Sequence, residues 1–205
     1  MKSKKKLSAV LFDLGNVFIQ VNPDNSIQEL ERLSSFTYQQ IHTYFTTSEI
    51  VRMYEKGQLT NCEFYKHVLS DFGFSIPKQQ FKMLWQSMFS LIDPMIHFLD
   101  DIRHQYPCYL LSNTNAWHIE YCQHHYPFLR WFKKLFYSYE MGAIKPDPAI
   151  FQAVFTRIGL PPEEILFVDD REENIQAGYK LGMQTVHYIE HLQFKKCWNE
   201  IQSCI

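Results

Sequence analysis

The sequence predicts an α/β fold, with a Rossmannoid parallel sheet as the core and an inserted α-helical cap domain. Five short apolar runs indicate the sheet, because continuous apolar runs are typical of parallel strands buried on both faces. They are residues 8–13, 107–112, 135–138, 165–168 and 184–188. Helical periodicity between the later runs indicates a doubly wound arrangement. Residues 20–90 show helical periodicity without any such run, which indicates the insertion.

The core helices have recognisable starts and ends. Asp93-Pro94 and Asp147-Pro148 each have the form of an N-cap followed by proline at the first helical position. Gly159 and Gly182 stand where helical patterns stop, as glycines just past a helix end do. These signals place helices between the predicted strands, as a doubly wound sheet requires.

The inserted segment predicts four or five helices with no strand between them. Two pairs have the spacing of capping boxes, Ser26 with Glu29 and Thr60 with Glu63. We therefore expect a core domain built from residues 1–19 and 91–205, and a helical cap domain built from residues 20–90.

Composition excludes several classes of protein. The 205 residues are 46% hydrophobic and carry a net charge of −2 without a broad basic stripe, so nucleic acid is not an expected partner. No run reaches the roughly 20 apolar residues of a membrane span, and the apolar stretch after the N-terminal lysines ends too soon for a signal peptide. Five cysteines without a CxxC pair favour a reduced, cytoplasmic setting.

Two of the apolar runs stop at carboxylates. Asp13 is the last residue of the first run, and Asp169 and Asp170 follow the run at 165–168. Ligands of parallel sheets bind beyond the carboxyl ends of the strands, so we expect these side chains to converge. Three clustered carboxylates repel one another unless a cation lies between them, and Mg²⁺ prefers oxygen ligands. The ordinary alternatives are a turn at Asp13 and a helix start at the acid pair.

Two further segments provide groups suited to an anion. Ser112 ends the run at 107–112, and Asn113 follows it before a helix. Helix starts bind anions readily, so the Ser112 hydroxyl and the Asn113 backbone N–H are candidates for phosphate contact. Lys145 could neutralise phosphate oxygens. Taken singly, the first pair is an ordinary helix cap and the lysine an ordinary loop residue. Together with the acids they predict a site for Mg²⁺ and a phosphoryl group. Receiver domains use similar groups, but there the acid pair comes first in the chain.

Four segments resemble, in order and spacing, the motifs of the haloacid dehalogenase-like (HAD) superfamily. They are residues 12–17, 111–115, 145–148 and 167–170, the last with Asn174. The resemblance spans nearly the whole chain and includes a helical cap at the position of a C1-type cap. The first two segments are similar to those of the bacterial branch that contains a glucose-1-phosphate phosphatase.

The resemblance implies a Mg²⁺-dependent hydrolase of phosphomonoesters of small metabolites, with a sugar phosphate as the expected substrate. Asp13 would attack phosphorus and form an aspartyl-phosphate. The implied Mg²⁺ ligands are Asp13, the Gly15 carbonyl, Asp169 and Asp170, one of the last two directly and the other through water. The implied phosphate ligands are Ser112, Asn113 and Lys145.

One position departs from the pattern. Many phosphatases of the superfamily carry an aspartate two residues after the nucleophile as general acid and base, and here that residue is Gly15. General acid catalysis contributes ~10²–10⁴-fold, or about 3–5 kcal/mol of barrier. The cap could supply the proton, a water could serve, or the leaving group could need little help. The similar branch has the same glycine and includes active phosphatases.

The cap is expected to set specificity. Residues 54–57 are similar to the cap loop that faces the site in relatives, so Glu55 and Lys56 are candidates for substrate contact. His118, one turn after the second motif, is another. Solvated loop charges and a structural histidine are the plainer alternatives.

Two other functions remain open from the sequence. Gly15 motivates a non-catalytic binding or regulatory protein with the same fold. Dehalogenation of a 2-haloacid would also use an aspartate ester, but it attacks carbon without a metal, and the acid pair argues against it.

Overall fold

The computed structural model describes residues 6–73 and 75–204; the lysines at positions 2, 4 and 5 lie outside this part. It contains seven strands: β1 Ala9–Phe12, β2 Ile19–Val21, β3 Phe89–Leu91, β4 Cys108–Ser112, β5 Lys134–Tyr137, β6 Ile165–Asp169 and β7 Gln184–His187. Five of them form a parallel sheet in the order β5–β4–β1–β6–β7. The predicted parallel sheet is confirmed, and each predicted strand is found with its ends shifted by no more than a residue or so.

The described chain has eleven α-helices: α1 Asp24–Arg32, α2 Tyr38–Thr47, α3 Glu49–Glu55, α4 Asn61–Phe72, α5 Lys78–Gln86, α6 Asp93–Ile102, α7 Ala116–His125, α8 Ser138–Met141, α9 Pro148–Ile158, α10 Glu172–Lys180 and α11 His191–Cys204. Short 3₁₀ helices cover Pro127–Trp131 and Pro162–Glu164. Within residues 6–73 and 75–204, none of the helices has the length and apolar character needed to cross a bilayer.

Helix α9 starts and ends as predicted. The Asp147 side chain accepts a hydrogen bond from the Ala149 N–H at 2.9 Å, and Gly159 closes the helix with a φ of 76°. Helix α6 differs by one residue from its prediction. It begins at Asp93 itself, because the Met95 N–H already donates to the carbonyl of Ile92.

One of the two expected capping boxes is present. The Thr60 hydroxyl accepts from the Glu63 N–H, and the Glu63 carboxylate accepts from the Thr60 N–H at 2.8 Å. The prediction of a capping box at Ser26 is wrong. Ser26 lies inside α1, where it is buried and donates instead to the carbonyl of Leu84 on α5 at 2.7 Å. Burial against a neighbouring helix has replaced the local capping role.

Strands β2 and β3 form an antiparallel ribbon that the sequence did not predict. Each has three residues, too few for alternation to be recognised. The ribbon carries the chain away from the sheet after β1 and back to it before α6. Helices α1–α5 lie between its two strands with no strand among them, as expected.

Apolar residues cover both faces of the sheet and also fill the helical segment. One buried cluster lies on each face of the sheet. A third is made from α1–α5 together with Trp117 of α7. In it, Tyr54 stacks on Phe64 with ring centroids 4.1 Å apart. The helical segment therefore has its own apolar interior and joins the core through Trp117.

Candidate active site

The pairing of β1 with β6 brings two of the carboxylates together. Phe12 lies opposite Val168 in this parallel pair, so the next residues, Asp13 and Asp169, are neighbours. The Asp13 N–H also donates to the Val168 carbonyl at 2.8 Å. Carboxylate oxygens of Asp13, Asp169 and Asp170 all lie within 4.8 Å of one another. The expected convergence of the acids is present in the structure.

Lys145 bridges two of these acids. Its Nζ donates to Asp13 Oδ1 at 2.7 Å and to Asp169 Oδ2 at 2.6 Å, and its side chain is 1% exposed. Asn113 fixes the lysine from the end of β4. The Lys145 N–H donates to Asn113 Oδ1 at 2.7 Å, and Asn113 Nδ2 donates to the Lys145 carbonyl at 2.8 Å. The Asn113 side chain thus positions the lysine, and only its backbone remains for an anion.

Burial and neighbouring charge perturb the pKa values in this cluster. Burial raises the pKa of Asp13 to about 7; the Lys145 ammonium lowers it, and the charges of Asp169 and Asp170 raise it. Burial also raises the pKa of Asp170 above its ordinary range. For Lys145, burial favours a lower pKa, but the two carboxylates outweigh it and the pKa is raised. The lysine therefore stays charged.

The donor set fits a divalent cation. With every group ionised, three carboxylates and one ammonium leave two uncompensated negative charges, and all the acidic donors are hard oxygen atoms. Asn174 Oδ1 is buried beside them and has no hydrogen-bond partner among the described residues. Such an oxygen suits a water in a cation's coordination shell.

The two acids after β6 are held differently. Both oxygens of Asp169 accept hydrogen bonds, from Lys145, from Asn174 and from the Arg171 N–H, and the residue is fully buried. Asp170 is partly exposed and accepts one bond from Asn16 Nδ2 at 2.9 Å. Asp169 is thus satisfied within the protein, whereas Asp170 faces an open space.

That space is a cavity of about 870 Å³ between the carboxyl edge of the sheet and helices α2 and α3. Nine of the ten candidate residues line it: Asp13, Gly15, Glu55, Lys56, Ser112, Asn113, His118, Lys145 and Asp170. Asp169 lies behind them. The Ser112 hydroxyl makes no hydrogen bond to any described residue, so it is available to a ligand.

The loop after α3 is fixed against the core. Gly57 has a φ of 68°, and a Cβ there would overlap the carbonyl oxygen of Tyr139 in α8. Only glycine allows this approach of two backbones. The contact places Glu55 and Lys56 at the cavity wall. Burial raises the pKa of Glu55 to about 7, against opposing effects of Arg171, Arg52 and Lys145.

His118 is held within the protein on both sides of its ring. Nδ1 lies 3.1 Å from Asn115 Nδ2, and Nε2 lies 3.0 Å from the Trp85 carbonyl. The ring also stacks on Trp85 with centroids 4.9 Å apart. Burial lowers its pKa to about 3, so it is neutral. It lines the cavity, but both ring nitrogens are already engaged.

A second cavity of about 190 Å³ adjoins the first inside the helical segment. Its walls are mostly apolar and include Ile27, Leu30, Phe81 and Leu84. Glu55 borders both cavities. The larger cavity therefore has an apolar extension.

Sequence reasoning missed several residues that border the cavity, and two of them, Asn16 and Arg171, lie next to the acid pair. Asn16 donates a hydrogen bond to Asp170, and its φ of 52° is unusual for a residue other than glycine. Its position in the turn after Asp13, residues 13–16, was the signal in the sequence that could have identified it. Arg171 contributes positive charge at the cavity wall, next to the acid pair. Nothing in its sequence context distinguishes it from an ordinary surface arginine.

Comparison with known proteins agrees with this geometry. The family model of haloacid dehalogenase-like hydrolases matches residues 7–182. The chain is 30% identical over 183 residues to a D-ribitol-5-phosphate phosphatase of Bacteroides thetaiotaomicron, covering 86% of this chain and 89% of that protein. It is 26% identical over 192 residues to a sesquiterpene phosphatase of Aspergillus oryzae, covering 90% and 91%.

A solved structure of the same family is also similar to this chain. A HAD family enzyme from Bacteroides thetaiotaomicron, in complex with magnesium and inorganic phosphate, superposes with a TM-score of 0.79 at 31% identity. The match covers 88% of this chain and 93% of that one.

Proposed function

This chain is a member of the haloacid dehalogenase-like hydrolase family, and from that premise we propose that it is a Mg²⁺-dependent phosphomonoesterase of small phosphorylated metabolites. The observation that carries the proposal is the buried cluster of Asp13, Asp169 and Lys145, with Asp170 beside it. A relative named as a phosphatase and a structural neighbour solved with magnesium and phosphate support the reaction class.

We assign the cation to Asp13 and Asp170, which line the cavity, and to the backbone carbonyl of Gly15. Asp169 is the water-linked acid in this assignment, because both its oxygens already accept hydrogen bonds from protein groups. When bound, Mg²⁺ supplies positive charge for the oxygens of the transferred phosphoryl group.

Asp13 is the proposed nucleophile. Lys145 donates to its Oδ1 and favours the ionised carboxylate, while Oδ2 accepts no hydrogen bond from the described residues. As the new bond from Asp13 to phosphorus forms, the ester P–O bond breaks and the alcohol leaves with a proton. Water then hydrolyses the aspartyl-phosphate, which releases phosphate and restores the carboxylate.

Three groups from two segments would hold the phosphoryl oxygens. Lys145 provides the charge, the free Ser112 hydroxyl a hydrogen bond, and the backbone after β4 the N–H of Asn113. These groups stand at fixed positions before substrate arrives, and catalysis of phosphoryl transfer depends chiefly on such positioning and charge stabilisation.

The proposed catalytic residues also suggest how the chain divides into two domains. We propose residues 1–19 and 91–205 as the catalytic core and residues 20–90 as the cap that selects the substrate. The separate apolar cluster of α1–α5 and the β2–β3 ribbon support this division.

For the substrate we propose a sugar or polyol phosphate. A cavity of about 870 Å³ is large enough for a small metabolite. Polar side chains of the cap line it and suit hydroxyl groups; they include Thr46, Ser48 and Arg52. The relative named as a D-ribitol-5-phosphate phosphatase supports this class. The resemblance to the glucose-1-phosphate phosphatase branch stays a prediction.

The apolar extension favours a second candidate, the phosphate ester of an apolar alcohol. Its volume of about 190 Å³ is comparable with the roughly 150 Å³ apolar cavity that holds benzene in another protein. The relative named as a sesquiterpene phosphatase is consistent with this class. Comparing kcat/KM for ribitol 5-phosphate, glucose 1-phosphate and an isoprenoid monophosphate separates the candidates.

The reaction class is tested with p-nitrophenyl phosphate. We expect hydrolysis by the wild-type protein with Mg²⁺, and loss of hydrolysis in EDTA and in Asp13→Asn. Asp100→Asn is the matched control, because the Asp100 carboxylate on α6 pairs only with Arg103, the residue after that helix. Full activity of Asp13→Asn would refute the proposal. Mg²⁺ binding without hydrolysis of any phosphorylated compound would favour a binding protein instead.

A further inference from the structure

The departing alcohol needs a proton, and the residue two positions after Asp13 cannot give one. Gly15 borders the cavity but has no side chain. General acid catalysis supplies ~10²–10⁴-fold, so another group within the cavity is expected to do this work. The described acids and histidines of its wall can be considered in turn.

Most of them are unsuited. Asp13 and Asp170 belong to the metal cluster, and the ring nitrogens of His118 are both engaged. Glu49 is exposed, and Glu173 is exposed and paired with Arg171. His42 is half-buried and stacked on Tyr38, with ring centroids 5.9 Å apart. It remains the rival, and it has to be tested.

Glu55 is placed differently from all of these. It is the last residue of α3, it is half-buried, and its carboxyl group forms no hydrogen bond or ion pair with any described residue. The contact of Gly57 with Tyr139 holds its loop against the core. Glu55 lines the same cavity as Asp13. The charge of Lys145, whose Nζ lies 2.7 Å from Asp13, also acts on Glu55.

The surroundings of Glu55 suit a proton donor. Burial raises its pKa to about 7, while the positive charges of Arg171, Arg52 and Lys145 lower it. Near neutral pH a substantial fraction of the carboxyl groups is therefore protonated, whereas a carboxyl group with an ordinary pKa is almost fully ionised. A group that titrates near the working pH is the most effective general acid.

We propose that Glu55 of the cap is the general acid of the phosphatase reaction and takes the role that Gly15 leaves vacant. The inference rests on the proposed function. In the first step the ester P–O bond breaks and the alcohol oxygen takes the proton of the Glu55 carboxyl group. In the second step the Glu55 carboxylate accepts a proton from the water that attacks the aspartyl-phosphate, which restores both side chains.

The test compares two leaving groups in Glu55→Gln, which is nearly isosteric. An alkyl phosphate must be protonated as it leaves, whereas p-nitrophenolate departs without a proton. We expect the first step with the alkyl phosphate, followed in single turnovers, to slow ~10²–10⁴-fold, and with p-nitrophenyl phosphate by less than about tenfold. A structural defect would slow both to the same extent.

Two variants serve as controls, Glu49→Gln for another cap carboxylate at the same cavity and His42→Asn for the rival donor. Neither is expected to show the dependence on the leaving group. Equal effects of Glu55→Gln on both substrates, no effect on either, or a selective effect in His42→Asn would overturn the inference while leaving the phosphatase proposal intact. Absence of wild-type hydrolysis of both esters would refute both.

Thermal unfolding in EDTA gives a readout independent of activity. The pKa of the Glu55 carboxyl group is raised from 4.5 to about 7, so the folded state holds this proton more tightly than the unfolded state does. The folded protein therefore loses stability as the pH rises from about 4.5 through about 7. Glu55→Gln is therefore expected to melt at a higher temperature than wild type near pH 8, and near the wild-type temperature at about pH 4.5. A lower melting temperature near pH 8 would contradict this environment for Glu55.

Discussion

Lys145 is the residue that allows three carboxylates to share a buried edge of the sheet. Its two hydrogen bonds reach Asp13 and Asp169, and its side chain is almost completely enclosed. Buried ion pairs of this kind gain little over apolar packing, but removing one partner leaves uncompensated charge in a medium of low polarity. The lysine is therefore expected to matter to stability as well as to the proposed binding of phosphate.

A pair of lysine substitutions tests this difference. We expect Lys145→Met to lower the free energy of unfolding in EDTA by about 3–5 kcal/mol near neutral pH, because the acids lose their counter-charge. Lys82→Met is the matched control. Lys82 pairs at 2.6 Å with Glu120, which is 58% exposed, and an exposed pair contributes about 0–1 kcal/mol. Urea unfolding of both variants gives the comparison, and equal losses would contradict it.

Residue roles were predictable from the sequence only in part. Asp13, Asp169 and Asp170 were found because acids at strand ends must meet when the strands are parallel and adjacent. The backbone N–H of Asn113 was expected at the phosphate, and that stays a prediction; no role was predicted for its side chain, which holds the backbone of Lys145. That hydrogen bond joins segments 32 residues apart, and no local pattern announces it.

At the scale of elements, the turn after α3 links the helical segment α1–α5 to helix α8, beside the sheet. Gly57 lets its backbone approach Tyr139 of α8 closely, and the same turn carries Glu55 and Lys56 to the cavity. Positioning errors of about 1 Å can cost an enzyme ~10²-fold in rate. A single glycine is thus expected to control how the α3 side of the cavity is placed relative to the acid cluster.

Gly57→Ala tests this contact. Its added Cβ would overlap the Tyr139 carbonyl oxygen, so the turn must move, and we expect kcat/KM to fall ~10²-fold with Mg²⁺ present. Gly73→Ala is the control, because Gly73 also has a positive φ, of 64°, but its Cβ would meet nothing within 4 Å. The control keeps the backbone strain without the overlap. Equal kcat/KM in the two variants would show that the contact does not position the site.

Elements were predicted well where hydrophobic pattern decides them. The central strands β1, β4 and β6 are largely continuous apolar runs, and proline and glycine marked the ends of α9. The β2–β3 ribbon was missed because its strands have three residues each. They are held by their pairing with one another across the inserted helices, and no local sequence pattern marks them. The capping box expected at Ser26 failed for a similar reason, since a contact with α5 decides its side chain.

Over the whole molecule, strand order assembles the site. β1 lies at the centre of the sheet between β4 and β6, so Asp13 has Ser112 on one side and Asp169 on the other. The loop that carries Lys145 completes the edge. Charged side chains from three of these segments, Asp13, Lys145 and the pair Asp169-Asp170, form one cluster that carries two excess negative charges when fully ionised.

Mg²⁺ is therefore expected to stabilise the folded chain. At a concentration about 100-fold above its dissociation constant it should add about 2.7 kcal/mol, which corresponds to a rise of roughly 5–10 °C in melting temperature for a protein of this size. Asp170→Asn should lose most of this rise. Asp147→Asn should keep it, because asparagine also caps a helix and Asp147 lies outside the cluster. The same rise in both variants would place the ion elsewhere.

The most direct measurement of the central claim is to trap the enzyme covalently during turnover. A radiolabelled phosphomonoester is mixed with the Mg²⁺-loaded protein, the reaction is quenched with acid, and the labelled peptide is identified. We predict label on the peptide that contains Asp13, and no label in Asp13→Asn. Label on another residue, or continued hydrolysis by Asp13→Asn at the wild-type rate, would contradict a mechanism in which this carboxylate attacks phosphorus.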